Sequence, residues 1–267
     1  MPGPWLRYSQ AMTADITSSA NPKIKRLVEL RDRSARDRES VFIVEGRASI
    51  ERAVAHQRPK ELYYDPSLFA EPPFPADLEL SVDPVALDRA SYRGRSSGVI
   101  AVFDQFDLTL AKLEIGPDPL ILVIEGIEKP GNLGAVLRTA DAVGADGVIA
   151  VDPGTDPFNP NVIRASIGAL FSVPLAVEDL ETALRWLQDR SIRIVAADTE
   201  GKTPLWEANL TGPCALLVGS EHDGLTDRAK AAADLDVSIP MRGAADSLNS
   251  SVATAILAYE ALRQRQA

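Results

Sequence analysis

Two different rhythms of apolar residues divide the chain. In the first hundred positions the apolar runs are short and change character quickly. Ile24, Leu27, Val28 and Leu30 recur at helical spacing after Asn21-Pro22, which reads as a helix start with Ser18 and Ser19 as candidate caps. Val41 to Val44 reads as a short strand, 47–55 as a helix, Leu62 to Tyr64 as a strand, Pro84 to Ala90 as a helix and Gly98 to Phe103 as a closing strand. Strands and helices this short predict a compact three-layer α/β unit over residues 21–104, behind a flexible leader over 1–20. Residues 105–119 lose the periodicity and end in Gly116, Pro117 and Pro119, which makes them the linker.

From residue 120 onward the runs become continuously apolar. Strands at 120–124, 147–151, 192–197, 214–218 and 236–240 alternate with helices at 132–143, 161–170, 178–189 and 249–264. Apolar strands separated by helices predict a parallel sheet over 120–267 with helices on both faces. Ligands of such sheets bind beyond the carboxyl ends of the strands. Glycines and polar residues gather at those ends in three loops: Glu125 to Gly134, Gly219 to Leu225, and Ile239 to Gly243 with Ser247 to Ser251 at the start of the last helix. Three loops on one edge predict one pocket.

Each loop also has a plain structural reading, in which glycines make tight turns, Asn132 and Asn249 cap helices, and Arg138 is a surface residue. Two phosphate-binding readings fail on spacing. Gly131-Asn132-Leu133-Gly134 is not the G-x-G-x-x-G of dinucleotide sites, and Gly201-Lys202-Thr203 has Ala196 where the G-x-x-x-x-G-K-[ST] phosphate loop needs its first glycine.

Composition narrows the classes further. A single Cys and two His, His56 and His222, among 267 residues exclude a disulfide framework and predict no metal centre. Charges break every apolar run well short of a membrane span, and the opening residues lack the basic start and apolar core of an export signal, so a cytoplasmic protein without membrane contact is expected. The net charge of −10 hides an asymmetry: residues 1–100 carry 15 basic and 14 acidic side chains, residues 101–267 carry 13 and 24. The stretch 23–38 holds Lys23, Lys25, Arg26, Arg31, Arg33, Arg36 and Arg38. It is either a solvated helix with its exit turn or a phosphate-contacting surface.

The segments GIEKPGNLGAVLRTADAVGADGVI, LLVGSEHDGL and VSIPMRGAADSLNSSVATAILAYEALRQ resemble, in order and spacing, motifs one, two and three of the SpoU-type RNA ribose 2′-O-methyltransferases of the SPOUT superfamily. The opening part, SSANPKIKRLVELRDRSARDRESVFIVEGRASIERAV, is similar to the RNA-binding extension of the ribosomal RNA members, whose fold resembles an RNA-binding ribosomal protein. Two positions depart from the pattern: Ser250 stands for an apolar residue in the Ser-Leu-Asn-Val-Ser run, and His222-Asp223 fall where the family varies.

The resemblance implies a homodimer, associated through the C-terminal domain, that methylates a ribose 2′-hydroxyl using S-adenosylmethionine bound in a deep trefoil knot. It implies that Gly219, Glu221, Ile239, Met241 and Leu248 frame this donor and that Asn132, Arg138, Glu221, Ser247 and Asn249 are the polar catalytic set. Arg138 is assigned to fix the target phosphate or hydroxyl, with assistance to proton loss as the open alternative; positioning is the safer assignment, because a free guanidine is costly near neutrality. Lys23, Lys25, Arg26, Arg31, Arg33, Arg47 and Arg164 are the expected RNA contacts, with Lys129 and Arg242 also able to meet phosphates. Ribosomal RNA, 23S first, is the expected substrate. A transfer RNA ribose methyltransferase and a non-catalytic RNA-binding or ribosome-assembly protein are the alternatives.

Overall fold

The computed structural model describes residues 14–266, and the chain divides into two compact units, 1–104 and 105–267. Of the expected leader, residues 1–13 lie outside the described residues. Residues 14–20 are tied down: Ile16 is buried and bridges Val82, and the Asp15 carboxylate accepts from the Ser81 backbone N–H and hydroxyl at 2.9 and 2.8 Å.

The first unit runs α1 (Pro22–Glu29), α2 (Arg33–Glu39), β1 (Val41–Glu45), α3 (Arg47–Val54), β2 (Glu61–Tyr64), β3 (Leu78–Ser81), α4 (Pro84–Ala90) and β4 (Val99–Asp104). Asn21, not Ser18 or Ser19, caps α1 by accepting from the Lys23 N–H at 2.9 Å, with Pro22 next, where its missing N–H costs nothing. The sheet order is β1-β4-β2-β3, antiparallel except for the parallel pair β2 and β3. Val41, Ile43, Tyr63, Ile100 and Val102 face one core with Ile24, Leu27, Leu30, Ala86 and Leu87. Phe42 and Phe103 stack at 5.6 Å, and α3, with Ile50 and Ala53 buried, packs on β1 and β4. β3 escaped the sequence reading because Leu78-Glu79-Leu80 is largely exposed and has no buried periodicity.

The second unit runs β5 (Leu120–Glu125), α5 (Pro130–Val143), β6 (Gly147–Val151), α6 (Pro160–Ser166), α7 (Ala169–Ser172), β7 (Leu175–Glu178), α8 (Leu180–Asp189), β8 (Arg193–Ala197), β9 (Thr203–Pro204), β10 (Cys214–Val218), α9 (Asp227–Ala231), β11 (Leu235–Ser238) and α10 (Ser250–Arg265). All seven strands are parallel, in the order β7-β6-β5-β10-β8-β11-β9. One face of the sheet buries Ile121, Val123, Ile149, Ile194 and Leu217 against Leu184, Trp186 and Leu187 of α8 and Ala229 of α9. The opposite side is covered by α5 and α10, which pack together, and α5 also meets α6. The single helix expected at 161–170 is two, because Ile167 and Gly168 take left-handed φ values of 51° and 87°.

The stretch read as a linker belongs to this core. A short 3₁₀ turn at Leu110–Lys112 places Leu110 and Leu113 among the buried residues, and the Val177 N–H donates to the Leu108 carbonyl at 2.8 Å. Burying a leucine contributes about 1.5–3 kcal/mol, enough to hold a segment that has no periodic pattern.

The approach of α5 to α6 depends on Gly134, where an added Cβ would lie 2.5 Å from Ala165 Cβ and 2.8 Å from the Ser166 nitrogen. Gly134→Ala is therefore expected to destabilise the protein by about 1–3 kcal/mol through overpacking. Denaturant unfolding measures this, and an unchanged midpoint would show that the two helices separate freely.

Candidate functional site

Strands β5, β10, β8 and β11 are neighbours, so the loops leaving their carboxyl ends converge. The loops after β8, β10 and β11 line a cavity of about 300 Å³, with Asp198, Thr199, Gly219, Ile239, Met241, Ser247 and Leu248 among its residues. A second cavity of about 250 Å³ is lined by Gly126, Ile127, Glu128, Lys129 and Asn132. Ser220, Glu221, His222 and Ser250 line both cavities.

Glu221 ties the three sequence loops together. Its carboxylate accepts from the Lys129 ammonium, from Asn132 Nδ2 at 2.7 Å and from Asn249 Nδ2, and Asn249 Nδ2 also lies 3.3 Å from Asn132 Oδ1. Lys129 first and Asn132 next hold the Glu221 carboxyl below the usual carboxylate range, against a desolvation that raises it. Asn249 keeps its expected role as cap of α10, its Oδ1 accepting from the Ser251 and Val252 N–H groups at 3.1 and 3.4 Å, while its amide nitrogen serves the site. Asn132 is not a cap. It lies inside α5, whose N-cap is Lys129, and is free to turn its amide to Glu221.

The second loop is held from both sides. Ser220 and Gly224 exchange backbone hydrogen bonds at 3.2 Å, and a Cβ on Gly219 would sit 2.1 Å from the Gly224 carbonyl carbon, so only glycine fits there. At the other end, buried Glu125 at the tip of β5 accepts from the Thr226 N–H at 3.0 Å and its hydroxyl at 2.7 Å. Sequence reasoning assigned Glu125 no role, nor Asp198, Thr199 and Lys230, which line the larger cavity with Lys230 and Asp198 paired at 2.5 Å. Glu125, Asp198 and Thr199 had one signal, placement at the end of an apolar strand; Lys230, inside α9, had none.

Other expected residues are not gathered here. Arg138 is exposed and lines neither cavity. Exposed His222 stands at the rim of both. Lys129, expected to meet phosphate, is occupied by Glu221. Arg26 pairs with Glu39 at 2.7 Å and Glu61 at 2.9 Å, and Arg31 donates to the Arg89 and Ser91 carbonyls at 2.6 and 2.5 Å, so both are engaged within their own unit. Arg33 pairs with Asp37 at 3.3 Å, and Arg164 donates to Asn161 at 2.7 Å, both at the surface. Lys25 and Arg47 are exposed, and Lys23 is half-buried. No cluster of three or more His, Cys, Asp or Glu able to hold a metal occurs among the described residues, and no helix among them is long and apolar enough to cross a membrane.

Residues 119–259 match the SpoU rRNA methylase family, and residues 21–101 match the MRM3-like substrate binding domain. The chain is 40% identical over 177 residues to the 23S rRNA (guanosine-2′-O-)-methyltransferase RlmB of Ralstonia nicotianae, covering 64% of this chain and 71% of that protein. Its structure is similar to that of an RNA 2′-O ribose methyltransferase at 40% identity and a TM-score of 0.83, over 94% of this chain and 99% of the other. It is also similar to the SpoU methyltransferase AviRb of Streptomyces viridochromogenes in complex with AdoMet, at 29% identity and a TM-score of 0.84, over 92% and 99% of the two chains.

The fold is that of a SPOUT methyltransferase, an α/β protein with a small N-terminal domain and a C-terminal parallel sheet. The chain belongs to the SpoU rRNA methylase family and is an S-adenosylmethionine-dependent RNA ribose 2′-O-methyltransferase.

The larger cavity fits that cofactor. Val218, Ile239, Met241 and Leu248 offer apolar surface to a purine, the backbone at Gly219 is unobstructed by a side chain, and Glu221 supplies a fixed anion beside a cationic group. In Lys129→Ala, the main group holding Glu221 ionised is gone, so its carboxyl protonates at a higher pH. The rate of methyl transfer is then expected to begin falling at a higher pH than in the wild type as the solution is acidified. Superimposable acid limbs in the two pH–rate profiles would show that Lys129 does not set the charge of Glu221.

Proposed function

We propose that this chain methylates a ribose 2′-hydroxyl of large-subunit ribosomal RNA, with the target nucleotide in the smaller cavity and the methyl donor in the larger. The observation that carries this reading is the wall the two cavities share, in which Glu221 is fixed by Lys129, Asn132 and Asn249. S-adenosylmethionine, when bound, supplies a methyl group on a cationic sulfonium, so the chain's own work is orientation and charge. Asn132 and Asn249 orient Glu221, Ser247 and the backbone around Gly219 hold polar groups of the donor, and Ile239, Met241 and Leu248 exclude water from it. A hydroxyl is a poor nucleophile, and holding it in line with the methyl carbon is worth more than any available base.

Arg138 is assigned to position the target phosphate or hydroxyl. Because it faces outward in its own chain, it reaches a cavity only in an assembly. The outer face of α10 favours one: Val252 and Tyr259 are 46% and 52% exposed, with half-buried Ile256 between them on the same helical face. A second copy docked on this face makes the homodimer, with β10 to α10 threaded as the deep trefoil knot that the family resemblance implies. A bacterial-type ribosomal RNA substrate places the reaction in the cytoplasm.

Three outcomes test the reading. Tritiated methyl groups from the donor are expected in a 23S transcript at a ribose 2′-oxygen. Transfer to tRNA alone would replace the substrate assignment, and transfer to neither would end it. Arg138→Ala is expected to lower the turnover by about a hundredfold or more while donor binding, followed by calorimetry, persists. Undiminished turnover removes Arg138 from the site. Light scattering of the double variant Val252→Glu, Tyr259→Arg is expected to give the 28.7 kDa monomer in place of a mass twice as large; a mass equal to that of the wild type places the interface elsewhere.

A further inference from the structure

The loop joining α4 to β4, residues 91–98, has no part in the site above, yet it is held rigidly. From beneath, Arg31 donates to the Arg89 and Ser91 carbonyls. The Glu45 carboxylate accepts from the buried Ser91 hydroxyl at 2.9 Å and from the Tyr92 N–H at 2.6 Å. Asp88 accepts from the Ser96 N–H at 2.6 Å, and the Ser91 hydroxyl lies 3.0 Å from the Arg95 carbonyl. Arg31, Glu45 and Asp88 thus each hold the loop through its backbone, Glu45 through the Ser91 hydroxyl as well. The loop also carries side chains at the surface: Tyr92 is 36% exposed, and Arg93 and Arg95 are exposed. Arg47, also exposed, starts α3 two residues after Glu45.

A rigid backbone carrying an aromatic ring among guanidinium groups, with the nearby carboxylates Glu45 and Asp88 occupied by backbone N–H groups, matches single-stranded nucleic acid. Bases stack on an aromatic face, and guanidinium forks meet phosphate oxygens. We propose that this loop and Arg47 form the surface on which the N-terminal unit holds RNA, an unpaired base stacking on Tyr92 while Arg47, Arg93 and Arg95 meet the flanking phosphates. The proposal rests on the RNA substrate assigned above. It moves the RNA contact away from Arg26 and Arg31, the first of which serves the fold and the second of which serves the loop.

The test uses the full chain and a fluorescein-labelled 23S transcript, with binding measured over a series of salt concentrations. Arg93→Ala with Arg95→Ala is expected to weaken binding tenfold or more and to reduce the salt slope by about 1.5–2, as two lost phosphate contacts require. Tyr92→Ala is expected to weaken it by about five- to a hundredfold with the slope retained, and Tyr92→Phe to restore it. Glu45→Gln, which loosens the loop without touching its charges, is expected to weaken binding at an unchanged slope. Donor affinity stays at the wild-type value in all of them, and Lys112→Ala on the other unit serves as the control. Wild-type binding and methylation by both the Tyr92 and the double-arginine variants overturns this surface while the substrate assignment stands. A wild-type protein that neither binds nor methylates the transcript overturns both.

Discussion

One carboxylate organises the C-terminal unit. Glu221 accepts from groups 92, 89 and 28 residues away in sequence, and the donors come from two distant parts of the chain: Lys129 and Asn132 at the start of α5, and Asn249, the cap of α10. A carboxylate has no proton to give, so three donors aimed at it satisfy it without competition. The same contacts give Lys129, Asn132 and Asn249 fixed orientations before any ligand arrives. A site whose dipoles and charges are set in advance loses nothing to reorganisation during reaction.

The sheet makes that meeting place available. Parallel strands send all their carboxyl ends to one edge, and the insertion of β10 between β5 and β8 brings loops from distant parts of the sequence side by side. Two local features then hold the middle loop in register. Gly219 lets the backbone of Gly224 approach within a distance no side chain tolerates, and Glu125 fastens Thr226 to the end of β5. The pocket is thus a product of close backbone packing, and Ser250, buried at the wall of both cavities, is compatible with it although an apolar residue is usual there.

The two units use charge differently. In the C-terminal unit, acidic overall, the residues of the site are neutralised locally, as with Lys129 and Glu221 or Lys230 and Asp198. In the N-terminal unit, arginines divide between those that hold the fold and those left at the surface. Arg36 is fully buried and donates to the Leu30 and Arg31 carbonyls, closing the turn between α1 and α2, whereas Arg47, Arg93 and Arg95 remain exposed. Counting basic residues along a segment cannot separate these roles, because a guanidinium satisfies a carbonyl as readily as a phosphate.

The sequence by itself determined the apolar strands β5, β6, β8 and β10, the helices α5, α8 and α10, the cap Asn249 and the three loops that line the cavities. These follow from periodicity and turn chemistry, which act over a few residues. Only the tertiary structure decided that Leu110 and Leu113 join a core, that β3 and β9 pair at sheet edges, that Asn132 faces Glu221 instead of capping a helix, that Arg138 looks outward, and that Arg26 and Arg31 are occupied within their own unit. Each of those outcomes is a choice of partner between residues far apart in the chain. Such choices are settled by which surfaces the packed sheet and helices bring within a few ångströms, a quantity that no local pattern of residues encodes.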